Sequence, residues 1–211
     1  MYIPKHYEEK DLKEVEALVR EFGFATLIST VEGKPWATHL PLELGITTEG
    51  IWLLHGHISR VNPQYKGFSN EVEVLAIFMG PHTYVSPSWY SKPNVPTWNY
   101  KAVHLYGKPR ILEGVELEER LKSLMSRYEN AHAEKPLAYE DVPQKVKETD
   151  LRGLIGFEIE VTKIEAASKL SQNRDAESHA NIINELKHMD AYDAKRIAEE
   201  MEKRAKNSSD E

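Results

Sequence analysis

The sequence predicts a mainly β protein: an antiparallel, barrel-like sheet with helices at its periphery. Three observations predict it. Short runs rich in β-branched and aromatic residues recur from Phe24 to about residue 165, turn signals such as Glu32-Gly33-Lys34 and Thr47-Thr48-Glu49-Gly50 separate them, and helical periodicity is confined to the two ends and one insert.

Leu12, Val15, Leu18, Val19 and Phe22 recur at three- and four-residue spacing among charged residues, so the chain should open with an amphipathic helix ending at Gly23. Strands are expected over Phe24 to Val31, Trp36 to Leu44 and Ile51 to His55. Pro63 suits a first helical turn, so a short helix should begin there, followed by a strand from Val72 to Met79. A further strand pair is expected around Thr83-Tyr84-Val85 and from Tyr100 to Leu112. The segment between holds Pro87, Pro93 and Pro96, which cannot donate to a ladder and mark an ordered loop or an edge. Leu117, Leu121, Leu124, Met125 and Tyr128 define an inserted helix, and Leu154 to Ile164 a closing strand. Two helices, Ala180 to His188 and Ala191 to about Arg204, finish the chain, with a frayed polar end.

The chain has 211 residues and no cysteine, which excludes disulfides, thiolate catalysis and Cys-ligated zinc. No apolar run approaches the roughly 18 residues of a membrane span, and the first residues lack a signal-peptide core, so a cytoplasmic location is expected. The formal net charge of -7 repels nucleic acid, and no strong basic patch is legible. Neither a Ser-His-Asp arrangement nor a phosphate-binding glycine loop is present, so hydrolase and kinase chemistry is disfavoured.

Hydrogen-bonding and aromatic residues concentrate in two stretches, His55 to Gln64 and Ser86 to Tyr100. Ser59-Arg60 follows a strand, and a guanidinium fork beside a hydroxyl and the start of a helix suits a phosphate, the ordinary alternative being a surface ion pair beside a turn serine. His55 and His57 lie two apart and face one way on a strand. They could pair on a metal, but no familiar ligand spacing supplies a third donor, and hydrogen bonding to a ligand is preferred. Trp89, Tyr90, Trp98 and Tyr100 suit core packing, an interface or a rigid lid. Ser171 or Asn173 reads as a helix cap, with Gln172 and Arg174 able to reach a ligand.

Taken together, Trp36-Ala37-Thr38-His39-Leu40-Pro41, His55-Gly56-His57-Ile58-Ser59-Arg60-Val61-Asn62-Pro63-Gln64, Val95-Pro96-Thr97-Trp98-Asn99-Tyr100 with Val103-His104-Leu105-Tyr106-Gly107, and Lys169-Leu170-Ser171-Gln172-Asn173-Arg174 resemble the PaiB-like family of FMN-binding negative transcriptional regulators. The resemblance implies an FMN-binding split β-barrel, similar to the pyridoxamine-phosphate oxidases and usually a homodimer with flavin at the subunit interface. It implies that Ser59 and Arg60 hold the FMN phosphate, that Thr38, His39, Leu40 and Pro41 run beside the ring, and that His55, Gly56 and His57 line the site. Trp98, Asn99, Tyr100 and Gln172 would come from the partner subunit. Split-barrel oxidases commonly follow Ser-Arg with a lysine; here Val61 stands there, leaving His57 and Asn62 to compensate.

The expected division is a split-barrel domain over 1–170, carrying the N-terminal and inserted helices, and a C-terminal helical extension over 171–211 packed on it. The function implied is negative regulation of sporulation and of degradative-enzyme production, through DNA or a regulatory protein partner and without vigorous turnover. A flavin-dependent oxidoreductase and a haem- or metal-handling barrel are the alternatives.

Overall fold

The computed structural model describes residues 1–69 and 71–207. The fraying expected at the chain's last few residues concerns positions outside the described residues. Among the described residues five α-helices, α1 (Leu12–Glu21), α2 (Gly114–His132), α3 (Gln144–Gly153), α4 (Ala176–His188) and α5 (Tyr192–Asn207), accompany seven strands: β1 (Phe24–Val31), β2 (Lys34–Pro41), β3 (Glu43–Ile46), β4 (Trp52–Ser59), β5 (Val74–Val85), β6 (Thr97–Leu112) and β7 (Leu154–Lys169). The strands form one mainly antiparallel sheet in the order β2-β1-β5-β6-β7-β4-β3, open at β2 and β3. The mainly β expectation therefore holds.

Differences from the sequence reading have local causes. The run Trp36 to Leu44 is two strands because its partner changes: β2 pairs with β1 as far as Pro41, the Leu42 amide donates to the Gly23 carbonyl at 2.8 Å, and from Glu43 the chain pairs with β4. β5 runs without a break from Val74 to Val85, absorbing the strand expected at Thr83-Tyr84-Val85. α3 was not anticipated: Gln144 to Gly153 buries no side chain fully, so its sequence carries little apolar periodicity. Glu32 and Gly33 both take positive φ (51° and 77°) in the β1–β2 turn, which is why that turn is tight.

The chain divides into two compact units. Unit one comprises Met1–Phe22, Phe78–His104 and the described residues from Glu165 onward. Its core joins Val85, Tyr90 and Leu170 to Ile182 and Leu186 of α4 and to Ile197 and Met201 of α5. Each such side chain, fully buried, contributes roughly 1.5–3 kcal/mol of transfer free energy. The stripes on both C-terminal helices are thus core.

Unit two comprises Gly23–Ile77 and Leu105–Ile164. Antiparallel register pairs β1 with β2 from Phe24↔Pro41 to Val31↔Lys34, and β4 with β7 from Leu53↔Glu160 to Ser59↔Leu154. Leu27, Leu42, Leu54, Phe157 and Ile159 fill its interior. Among the described residues no helix is long and apolar enough to cross a membrane.

Candidate functional site

The Ser-Arg turn leaves the end of β4 in unit two. Ser59 closes the strand, and the Asn62 amide returns to its carbonyl at 2.9 Å, so the chain reverses at once. Asn62 then caps a 3₁₀ turn over Pro63–Gly67, its side chain accepting from the Gln64 amide at 3.1 Å. The helix expected at Pro63 is this short turn, and the amide that could have met an anion is already held by the cap.

A hydrogen-bond chain fixes the turn against β2. Asn62 Nδ2 donates to Thr38 Oγ1 at 2.8 Å, Thr38 Oγ1 donates to Gln64 Oε1 at 2.5 Å, and Gln64 Nε2 donates to the Leu27 carbonyl at 3.1 Å. Gln64 is fully buried. The sequence shows it only as the last residue of a motif; its burial beside a proline cap is what gives it the task of holding the turn.

Arg60 is exposed, yet it is anchored: its amide donates to the Gly153 carbonyl, Nε to the Arg152 carbonyl and Nη2 to the Leu154 carbonyl, at 2.8, 2.8 and 2.9 Å. No carboxylate pairs with it among the described residues, and Nη1 and the exposed Ser59 hydroxyl have no partner there either. An oriented guanidinium and a spare hydroxyl at one strand end are a donor set that fits a phosphate. The ordinary reading of Arg60, a surface ion pair, is not what the structure contains.

The alternation of β4 sends its neighbours to opposite sides. A β-carbon added to Gly56 would meet Leu42 Cδ2 at 2.7 Å and Phe157 Cζ at 2.8 Å, so Gly56 is a packing glycine that turns towards the core. His55 is buried and donates from Nε2 to Glu158 Oε2 at 2.7 Å. Burial and the nearby Arg120 hold its pKa below the usual imidazole range. Burial alone would raise the Glu158 carboxyl, but the hydrogen bonds from His55 and Arg110 outweigh it and hold the group below its ordinary value. A neutral His55 beside an ionised Glu158 is the arrangement at neutral pH.

His57 lines a cavity of about 600 Å³ built by Leu124 and Tyr128 of α2, Tyr139, Lys147 of α3 and Leu154. That volume lies within the range of small-molecule sites. Desolvation alone depresses the His57 pKa, and the ring has no hydrogen-bond partner among the described residues. The cavity was not legible, because it depends on α3. Of the α2 stripe, Leu117 is the buried member, which leaves Leu124 and Tyr128 to line the cavity.

On β2, His39 is exposed with Nδ1 at 2.9 Å from Thr26 Oγ1, Leu40 is 4% exposed and Pro41 is half-buried. Unit two thus brings Thr38, Ser59, Arg60 and Asn62 to one turn, with His57 on the same strand.

The remaining candidates belong to unit one. Trp98 is 52% exposed, its ring 5.7 Å from His82 and 6.4 Å from Tyr84. Asn99 is fully buried, accepting from Ser171 Oγ at 3.0 Å and donating towards Met201 Sδ at 3.5 Å. Tyr100 is half-buried. Gln172 staples its own turn, donating to the His6 and Ser168 carbonyls at 2.9 and 2.7 Å and accepting from the Leu170 amide at 2.7 Å. Asn99 and Gln172 therefore act within the protein as braces. Ser171 takes a left-handed φ of 58° and is not a helix cap; α4 starts later, with Asp175 as its N-cap. Among the described residues no group of three or more histidine, aspartate and glutamate side chains could hold a metal ion.

Solved structures with similar folds include the FAD and heme binding protein of Mycobacterium smegmatis, with TM-score 0.62 and 13% identity over 82% of this chain and 78% of that one. The flavocytochrome Anf3 of Azotobacter vinelandii gives TM-score 0.58 and 15% identity over 85% and 78%. At such identities the likeness concerns the fold. In sequence, the chain is 43% identical to the protease synthase and sporulation protein PAI 2 of Bacillus subtilis, over 98% of this chain and 99% of that protein. It is also 28% identical to an uncharacterized protein of Saccharomyces cerevisiae, over 70% and 99%. Residues 1–163 match the family model described as "Putative FMN-binding domain". With that match and the 43% relative spanning nearly its whole length, the chain belongs to the FMN-binding domain family that the PaiB-like resemblance pointed to.

Proposed function

We propose that this protein is an FMN-binding negative regulator of sporulation and degradative-enzyme production, acting in the cytoplasm as a homodimer. The observation that carries the flavin reading is the Ser59–Arg60 turn: an anchored guanidinium without a carboxylate, beside an unpartnered hydroxyl. Family membership supports the identity of the ligand, and the name of the Bacillus subtilis relative supports the regulatory role.

In this reading Ser59 and Arg60 hold the FMN phosphate, and the Thr38–Asn62–Gln64 hydrogen bonds keep their turn from moving when the anion binds. Thr38, His39, Leu40 and Pro41 supply the strand beside the ring, with His57 presenting a neutral imidazole into the adjoining cavity. Asn62 compensates for Val61, where a lysine is common, by stiffening the turn rather than by adding charge. Trp98 and Tyr100 are the partner-subunit contacts, with buried Asn99 anchoring the backbone between them and Gln172 bracing its own turn. Bound flavin supplies one- and two-electron redox chemistry, through which its state could be read by the regulator's partner. Exposed apolar side chains on strands support a dimer: Phe24 and Trp36 in unit two, Met79, Tyr84 and Trp98 in unit one.

The test is genetic. In Bacillus subtilis lacking its PAI 2 protein, expression of this chain should lower secreted protease, and a Ser59→Ala, Arg60→Gln variant of equal abundance should not. Unchanged protease output with the wild-type chain would refute the regulatory reading. Sequence-selective, salt-dependent DNA binding by the purified protein would assign the repression to DNA contact; its absence would assign it to a protein partner.

A further inference from the structure

Two cations in unit one have no anion to answer them. Lys169, near the end of β7, donates from Nζ to Thr97 Oγ1 at 2.6 Å and lies 5.7 Å from the centre of the Tyr7 ring. Arg174, five residues on, sets its guanidinium carbon 4.9 Å from the centre of the Tyr90 ring. Burial first, and then the charge of Arg174, push the Lys169 ammonium below the usual lysine range, so the two are close enough to repel. Neither makes an ion pair among the described residues, although the chain carries 34 acidic residues to 27 basic ones. Asp175, next in sequence, is committed elsewhere: its carboxylate caps α4 through the Ser178 amide and hydroxyl, at 2.9 and 2.8 Å, and accepts from Ser91 Oγ.

Buried polar atoms beside this pair are also unsatisfied. Tyr90 is 9% exposed and its hydroxyl has no hydrogen-bond partner; nor has Arg174 Nε. A buried hydroxyl left without a partner is destabilising, and an unpaired like-charge pair adds to that. The arrangement is nevertheless rigidly built. Gln172 staples the turn at both ends, Ser171 occupies its left-handed φ while bonding to buried Asn99, and the Tyr7 hydroxyl donates to Asn173 Oδ1 at 3.3 Å. A braced turn presenting two cations and an unused donor among aromatic rings is organised for a guest that brings negative charge and a flat face.

We propose that Lys169 and Arg174, set against the rings of Tyr7 and Tyr90, form a second ligand site that takes the carboxylate or phosphate of a planar aromatic acid, an effector separate from the flavin. The two cations neutralise the anion, the Tyr90 hydroxyl and Arg174 Nε gain their missing partner, and the tyrosine rings border the aromatic body. The proposal stands on unit one alone and does not require the flavin reading.

Isothermal titration of the full-length protein with phenyl phosphate, benzoate, inorganic phosphate, FMN and riboflavin tests it. Phenyl phosphate or benzoate should bind saturably and more tightly than inorganic phosphate, which lacks the ring. Lys169→Gln and Arg174→Gln should each weaken that binding by about tenfold or more, the loss of a charge-assisted hydrogen bond, while Ser59→Ala leaves it unchanged. Thermal melts guard against misfolding: Lys169→Gln removes a repulsion and should not lower Tm. Saturable aromatic-acid binding that survives both substitutions, or no such binding to the wild type, overturns the proposal. So does one-for-one competition between phenyl phosphate and FMN with FMN binding lost in Lys169→Gln, which would give these cations to the flavin itself. Failure of FMN to bind, with phenyl phosphate still dependent on Lys169, would remove the flavin reading and leave this one intact.

Discussion

Replacing Gly56 by alanine probes the division of labour along β4. The added β-carbon would lie 2.7 Å from Leu42 Cδ2 and 2.8 Å from Phe157 Cζ, more than half an ångström inside ordinary carbon–carbon contact. Leu42 and Phe157 are 1% and 0% exposed, so neither can swing into solvent. Overpacking of this kind costs about 1–3 kcal/mol. In a chain of this size each kilocalorie lowers Tm by about 2–4 °C, so Gly56→Ala should melt about 2–12 °C below the wild type. The assay is thermal unfolding by circular dichroism, with Gly153→Ala as the comparison, because a β-carbon there meets nothing within 4 Å. Leu42→Val alongside Gly56→Ala should restore part of the loss by withdrawing the atom that clashes. A Tm for Gly56→Ala within about 1 °C of wild type would refute the reasoning, the ends of Leu42 and Phe157 then giving way at little cost.

Two other outcomes follow from the buried groups of unit two. His57 is held neutral by desolvation, its pKa below the usual 6.5, so the unfolded chain takes up that proton first as the solution is acidified. Stability should therefore fall as pH drops through the window just below 6.5, and His57→Leu should flatten that part of a urea-unfolding profile; an unchanged slope would contradict the assignment. Glu158→Gln removes the charge and one of the two oxygens that accept from His55 and Arg110, and should cost about 1–3 kcal/mol, read as a lower urea midpoint at unchanged slope, whereas an unaltered midpoint would show the network to be dispensable.

Much of this architecture was legible because strands and amphipathic helices carry their burial in their periodicity. β1 was placed to the residue, and the C-terminal stripes at Ile182, Leu186, Ile197 and Met201 are core as such stripes usually are. α3 escaped because it buries nothing fully, and with it the cavity beside His57. The site divided along the same line. Ser59-Arg60 suits a phosphate by residue type but fits a surface ion pair as well, so it was the family resemblance that pointed to phosphate there, and period-two reasoning does not show that Gly56 packs inward while His55 is spent on Glu158. Gln64, Asn99 and Gln172 act through partners 37, 72 and 166 positions away in the chain, which no local pattern encodes. The aromatic group likewise splits: Tyr90 joins the unit-one core with Trp89 packed against it, while Trp98 stays at the surface.

The central claim, a phosphate held at the Ser59–Arg60 turn, is tested most directly by comparing the affinities of FMN and riboflavin for the purified protein by flavin fluorescence quenching. The two ligands share a ring and ribityl chain and differ only by the phosphate. A charge-assisted contact contributes about 1.5–3 kcal/mol, so FMN should bind roughly ten- to 150-fold more tightly. Ser59→Ala, whose hydroxyl has no partner within the described protein, should narrow that gap without lowering Tm. Equal affinities for the two flavins, or a gap untouched by Ser59→Ala, would contradict the account.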